Sequence, residues 1–208
     1  MNVVIQAVVL RKICADESAI ALYTPHYGRL RTLQKVRKKQ WEQVSTGDIC
    51  LAAIEFRQGK VFLLNLESVV TRPIAADANS FFWQSHFLEM YFYYIPLEQP
   101  NKELFSLLTH VMRLSVAPDL LFKACLAQFF SLLGYHVPEE VFWYRDLFGA
   151  LEGHSDTSAS RVALDVGAAG RYEAKEMQNL DRWLLNTVRE HDHFRYLKTQ
   201  QFLPQFYT

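Results

Sequence analysis

Ser18-Ala19-Ile20-Ala21-Leu22-Tyr23-Thr24-Pro25-His26-Tyr27-Gly28-Arg29-Leu30-Arg31-Thr32-Leu33-Gln34-Lys35-Val36-Arg37-Lys38-Lys39 holds two alternating runs joined by a turn. In the first run Ile20 and Leu22 share one side and Ala19, Ala21 and Tyr23 the other, which is the two-residue period of a strand. Pro25-His26-Tyr27-Gly28 reads as the turn, because proline fixes φ and glycine tolerates positive φ. Residues 29–38 then run on as a second strand. Its odd positions are Arg29, Arg31, Leu33, Lys35, Arg37 and Lys39, five of the six cationic, against the more core-like Leu30, Thr32, Gln34, Val36 and Lys38. One face of this strand therefore presents charges spaced at roughly 6.5–7 Å, twice the rise per strand residue. That spacing suits the phosphates of an extended nucleic-acid strand. The plainer reading of the same pattern is an ordinary solvated strand face.

Three more strands surround this pair. Residues 3–12 are rich in Val and Ile, residues 48–56 and 61–70 form two further runs, and Arg57-Gln58-Gly59-Lys60 is a hairpin turn between the last two. About five short strands with tight turns and no helical pattern predict a small barrel or sandwich. A five-stranded OB-fold barrel fits the count and length. After Arg72-Pro73 the period changes. Helices are predicted over 77–94 (apolar nearly all round), 102–115 (Asn101 as N-cap), 119–133 (Gly134 as its stop), 138–151 and 173–190. Residues 153–171, rich in Gly, Ala, Ser and Thr, read as loop. The fold class expected is α+β, with an OB-fold DNA-binding domain over 1–72 and an all-α helical domain over 73–208.

Charge follows the same division. Residues 1–72 carry eleven Lys and Arg against six Asp and Glu, a net +5, and the remainder carries −5 within a neutral chain of 208 residues. A basic part beside an acidic part suggests different partners, with a polyanion the natural one for the first. Half the residues are hydrophobic and 14% aromatic, which argues against disorder. No run approaches a membrane span, since residues 81–95, the most apolar stretch, are interrupted by Gln84, Ser85, His86 and Glu89. Met1-Asn2-Val3-Val4 lacks a basic flank and cleavage site, so a cytoplasmic location is expected. Cys14, Cys50 and Cys125 are few, odd in number and far apart, which supports neither a zinc site nor a disulfide framework.

Residues 16–28, Asp16-Glu17-Ser18-Ala19-Ile20-Ala21-Leu22-Tyr23-Thr24-Pro25-His26-Tyr27-Gly28, look like the N-terminal signature of the RecO family: a Glu-Ser pair, an alternating strand, then Thr and Gly before a basic strand. Lys35-Val36-Arg37-Lys38-Lys39 resembles the basic segment that follows it. Leu132-Leu133-Gly134-Tyr135 within residues 119–138 resembles the family's helix ending in Leu-Gly-Tyr, and Arg195-Tyr196-Leu197-Lys198-Thr199-Gln200-Gln201-Phe202-Leu203 is similar to its closing stretch. The resemblance implies a non-enzymatic DNA repair and recombination mediator, nucleoid-associated, that binds single- and double-stranded DNA and anneals complementary strands. It also implies help in loading RecA onto coated single strands, with RecR and the acidic C-terminal tail of single-stranded-DNA-binding protein as partners. Two features depart from the family. Residues 153–171 hold no cysteine where many relatives carry a four-cysteine zinc site, so no metal or other cofactor is expected. Val36 stands where the basic segment often has glycine.

The DNA-binding residues expected are Arg29, Arg31, Lys35, Arg37, Lys38 and Lys39, with Arg57 and Lys60 extending the surface. Tyr23, Tyr27 and Trp41 flank the basic strand as candidates for base stacking. An apolar pocket edged by Arg113 or Lys123 would suit an acidic peptide tail. The alternative is a protein–protein adaptor, with the barrel as scaffold and Trp83, Phe87 and Tyr91 as the working surface. Other signals point away from chemistry. His191 and His193 do not face one way on a helix, Glu139-Glu140 suit a first helical turn, and Gly167-Ala168-Ala169-Gly170 lacks the Lys-Ser/Thr of a phosphate loop.

Overall fold

The alternation of apolar and polar residues through the first seventy positions is realised as five strands: β1 (Asn2–Ile13), β2 (Ala19–Thr24), β3 (Gly28–Gln34), β4 (Ile49–Arg57) and β5 (Lys60–Val70). The computed structural model of the chain describes residues 2–13, 19–34, 44–71, 77–114, 119–145 and 174–203. The strands close on themselves in the order β1-β2-β3-β5-β4. Every neighbouring pair is antiparallel except β3 and β5, which run parallel through Thr32↔Val61 and Gln34↔Leu63. The interior is filled by one member of each alternating pair: Ile5, Ala7 and Val9 from β1, Ile20 and Leu22 from β2, Leu30 from β3, Ala52 and Ile54 from β4, and Val61 and Leu63 from β5. Excluding these side chains from water is the main force that holds the barrel.

A bulge in β1 changes which side chains face out. Val9 pairs with Leu22, but the next pair is Arg11↔Ala21, so Leu10 is an extra residue. Without the bulge Arg11 would follow Ile5, Ala7 and Val9 into the core. With it, Arg11 joins Ala21 on the outer face.

Two helices follow in the same unit, α1 (Ala78–Tyr94) and α2 (Lys102–Arg113). Asp77 caps the first by accepting from the Ser80 amide at 2.7 Å, and Asn101 caps the second by accepting from the Leu104 amide at 3.0 Å. The Tyr91 hydroxyl ties them together by donating to the Leu104 carbonyl at 2.7 Å. Both helices pack on the barrel through Tyr23, whose ring lies edge-on to Tyr91 at 5.2 Å and 6.4 Å from Phe105. The strands thus end where the composition changes. The compact unit nonetheless runs on through α1 and α2 to Ser115, so the chain divides there rather than at residue 72.

The second unit, Val116–Thr208, contains α3 (Asp119–Leu132) and α4 (Ala174–Glu190). It also has single turns of tighter helix at Glu139–Val141, Phe194–Tyr196 and Lys198–Phe202. The helix expected over 138–151 opens as the first of these turns, and its part beyond Arg145 lies outside the described residues, as does the loop expected over 153–171. The architecture is α+β: a five-stranded sheet, then four helices. Among the described residues no helix is long and apolar enough to cross a membrane.

Two buried ionisable features set the stability of the helical parts. In the second unit Lys123 of α3 and Asp181 of α4 form an ion pair of 2.7 Å, each under a tenth exposed. Asp181→Asn is expected to destabilise by about 3–5 kcal/mol, because it removes the carboxylate paired with a buried ammonium. A Lys123→Met, Asp181→Leu double variant should lose far less, and urea denaturation of the three proteins measures the difference. In α1, His86 is fully buried and stacked on Phe82 at 5.8 Å, and burial pushes its pKa down to about 3. An unfolded histidine takes up its proton near 6.5 while the folded one stays neutral. The His86 contribution to stability is therefore flat above about pH 6.5 and falls as the pH drops from there towards 3, by up to about 1.4 kcal/mol per pH unit. His86→Phe should flatten that fall between pH 6.5 and 5, read from urea midpoints.

Candidate nucleic-acid interface

The β3 alternation places Leu30 and Thr32 in the barrel and turns Arg29, Arg31 and Leu33 outward. Thr32 is fully buried and donates its hydroxyl proton to the Ile20 carbonyl at 3.0 Å, so this inward polar side chain is satisfied by its neighbour strand. Arg31 is exposed. Register carries the surface sideways: Arg31 pairs with Ala21 of β2, and Ala21 with Arg11 of β1. Adjacent strands lie about 4.8 Å apart, so Arg11 and Arg31 stand roughly 10 Å from one another across a buried alanine. Arg29 stands two residues from Arg31 along the same strand.

Aromatic side chains from α1 edge this patch. The Arg11 guanidinium lies 5.1 Å from the centre of the Phe92 ring and donates to the Tyr93 hydroxyl at 2.9 Å. The Arg29 guanidinium lies 5.4 Å from the same ring. Both are cation–π contacts. Partial burial lowers the pKa of Arg29 from its ordinary value, and its Nε is buried without a hydrogen-bond partner among the described residues. No ion pair joins Arg11, Arg29 or Arg31 to any described carboxylate. Three guanidinium groups thus gather on one barrel face with no counter-charge among the described residues.

A second group of cations sits at the end of the barrel. The β4–β5 hairpin turns through Gln58 and Gly59 with φ of 51° and 70°, the left-handed pair of a type I′ turn. It sets Arg57 directly opposite Lys60. The hairpin borders a cavity of about 470 Å³, floored by Tyr27 and Phe56 with ring centres 5.1 Å apart and edged by His26 and Glu98. The Tyr27 amide donates to Thr24 Oγ1 at 3.0 Å, which fixes the turn that carries it.

Glu98 reaches the cavity because the chain after α1 is pulled onto β3. Its amide donates to the Arg29 carbonyl at 3.0 Å and Leu97 bridges Arg29. Gly28 permits the approach. Its φ is +67°, and a Cβ there would fall on the Gln99 backbone.

Of the residues expected to bind DNA, Arg31, Arg57 and Lys60 are exposed, and Arg29 is half-buried against Phe92. Lys35, Arg37, Lys38, Lys39 and the stacking candidate Trp41 lie outside the described residues. Tyr23 does not serve as a stacking platform. It is fully buried, its hydroxyl reaches the Asn101 carbonyl at 3.4 Å, and burial drives its pKa well up. Tyr27 remains accessible at the cavity. Lys123 does not edge a peptide pocket either, because it is buried and held by Asp181, whereas Arg113 is exposed at the end of α2 in the other unit. Trp83, Phe87 and Tyr91 are fully buried, so the surface of the adaptor alternative is a core.

Arg11, Phe56, Phe92 and Glu98 are absent from the sequence-based site. Arg11 was within reach of a strand-pairing argument only if the bulge were known. Among the described residues no cluster of His, Cys, Asp or Glu is arranged to hold a metal ion. A scan against protein-family models finds no match to this chain, and no curated protein is similar enough to it to register as a relative.

Proposed function

We propose that this chain is a non-enzymatic DNA-binding protein of the RecO type, a recombination mediator in DNA repair whose N-terminal barrel is an OB-fold. The strand order, closed by a parallel β3–β5 pair, supports the OB-fold reading. The observation that carries the function is the group of Arg11, Arg29 and Arg31, unneutralised by any described carboxylate and edged by Phe92 and Tyr93. Guanidinium groups suit phosphate oxygens through charge-assisted, forked hydrogen bonds. Contacts of that kind hold any sequence, because phosphates carry none.

The mechanism follows from charge. The arginine patch neutralises phosphates on one strand and lowers the repulsion that keeps complementary strands apart. A grip made to the backbone leaves the bases to find register. On this reading the basic run Lys35, Arg37, Lys38 and Lys39 adds further phosphate contacts, RecR and the single-stranded-DNA-binding protein tail are protein partners, and RecA loading is indirect. The protein itself carries no catalytic group in this scheme.

Binding of a fluorescent single-stranded oligonucleotide across a salt series tests the proposal. Affinity should fall steeply as salt rises. Charge reversal at Arg31 and Lys35 should weaken all sequences alike and flatten the slope by about 0.7 per lost phosphate contact. Absent binding at low salt, or a loss confined to certain sequences, overturns the phosphate-grip model.

A further inference from the structure

We propose that the cavity at the barrel end is a pocket for one unstacked nucleobase bearing an amino group, cytosine being the simplest, with the adjoining phosphate on Arg57 and Lys60. This rests on the DNA-binding reading and adds a base contact to it. The cavity, about 470 Å³, is of the size that takes small organic ligands. Its floor is aromatic: Tyr27 and Phe56 pack on the barrel core from one side and line the cavity from the other. Base–aromatic stacking is the common way to hold an exposed base.

The rim supplies the charges. Arg57 and Lys60 are directly opposed across the hairpin, an arrangement that repels unless an anion lies between them. Both are exposed, and no ion pair joins either to a described carboxylate, Glu98 included. A phosphate would relieve the repulsion. Glu98 is held with φ of 59°, the left-handed region that a non-glycine residue rarely adopts. That backbone is kept in place by the Arg29 carbonyl and by Gly28, and strain of this kind gathers at ligand sites. A carboxylate only accepts hydrogen bonds, so it pairs with the cytosine N4 amino group and opposes the thymine O4 acceptor at the same position. One ligand unit thus meets every element of the site: a ring for the floor, an amino edge for Glu98, and a phosphate for the two cations.

The test uses the full chain and fluorescent oligonucleotides of dC and dT, about 16 nucleotides long. The wild-type protein should hold dC about fivefold or more tighter than dT. Glu98→Gln, at an exposed position, should abolish that preference while leaving the salt slope unchanged. Tyr27→Leu should weaken both oligonucleotides about tenfold, again at constant slope. Equal affinity for dC and dT, or a preference that survives Glu98→Gln, overturns the pocket while leaving the phosphate grip standing. Binding of neither oligonucleotide at low salt overturns both.

Discussion

The approach of Gln99 to Gly28 is the contact on which the rest of the binding surface depends. Gly28 begins β3 in a left-handed conformation, and its missing side chain leaves room for the Gln99 backbone. The residues that follow α1 can then run alongside β3, with Leu97 bridging Arg29 and the Glu98 amide on the Arg29 carbonyl. Glu98 is thereby carried to the cavity. Any larger residue at 28 would need both a strained φ and a displaced neighbour chain, so the turn residue and the shape of the site are one constraint.

The arginine patch shows how the barrel carries concentrated positive charge. Arg11 and Arg29 are not free in solvent, since each guanidinium lies near Phe92. An ammonium would lose more hydration in that position, whereas the guanidinium is planar, weakly hydrated and stacks on rings. The bulge at Leu10 completes the group by sending Arg11 outward. No described carboxylate offsets the like charges gathered here, and their mutual repulsion disfavours the folded state. A bound polyanion would recover that energy, and a partly desolvated guanidinium interacts with a phosphate more strongly than a fully hydrated one.

Much of the frame was legible in the residues, for reasons that are local. The strands of the first seventy positions announce themselves by alternation, and Asn101 by its position before an apolar periodic run. The inward and outward sides of β3 follow from the same period, with Leu30 and Thr32 inside and Arg31 outside. What was illegible is non-local. Tyr23 alternates outward correctly, yet the outer face there is covered by Tyr91 and Phe105, whose arrival no strand period reveals. Lys123 reads as an available cation until Asp181, far along the chain, is found 2.7 Å away. Arg11 is hidden by a single extra residue in β1. Glu98 carries no signal beyond its charge, because its place is set by where another segment docks.

Arg31 and Lys123 bear the same formal charge and meet opposite fates, one exposed on the barrel and one buried in an ion pair. Lys123 sits in an apolar helix and is paired there with Asp181, so its charge is engaged between α3 and α4. Arg31 stands on a small barrel whose other side is already packed, so it contributes nothing to the core and remains available to a ligand. The residues beyond 72 carry a net −5 against +5 before it, which makes the acidic part a poor track for a phosphate backbone. A neutral net charge for the whole chain thus conceals a division of labour. In the second unit Lys123 and Asp181 are committed to one another, and in the first unit Arg31, Arg57 and Lys60 are exposed with no ion pair to any described carboxylate.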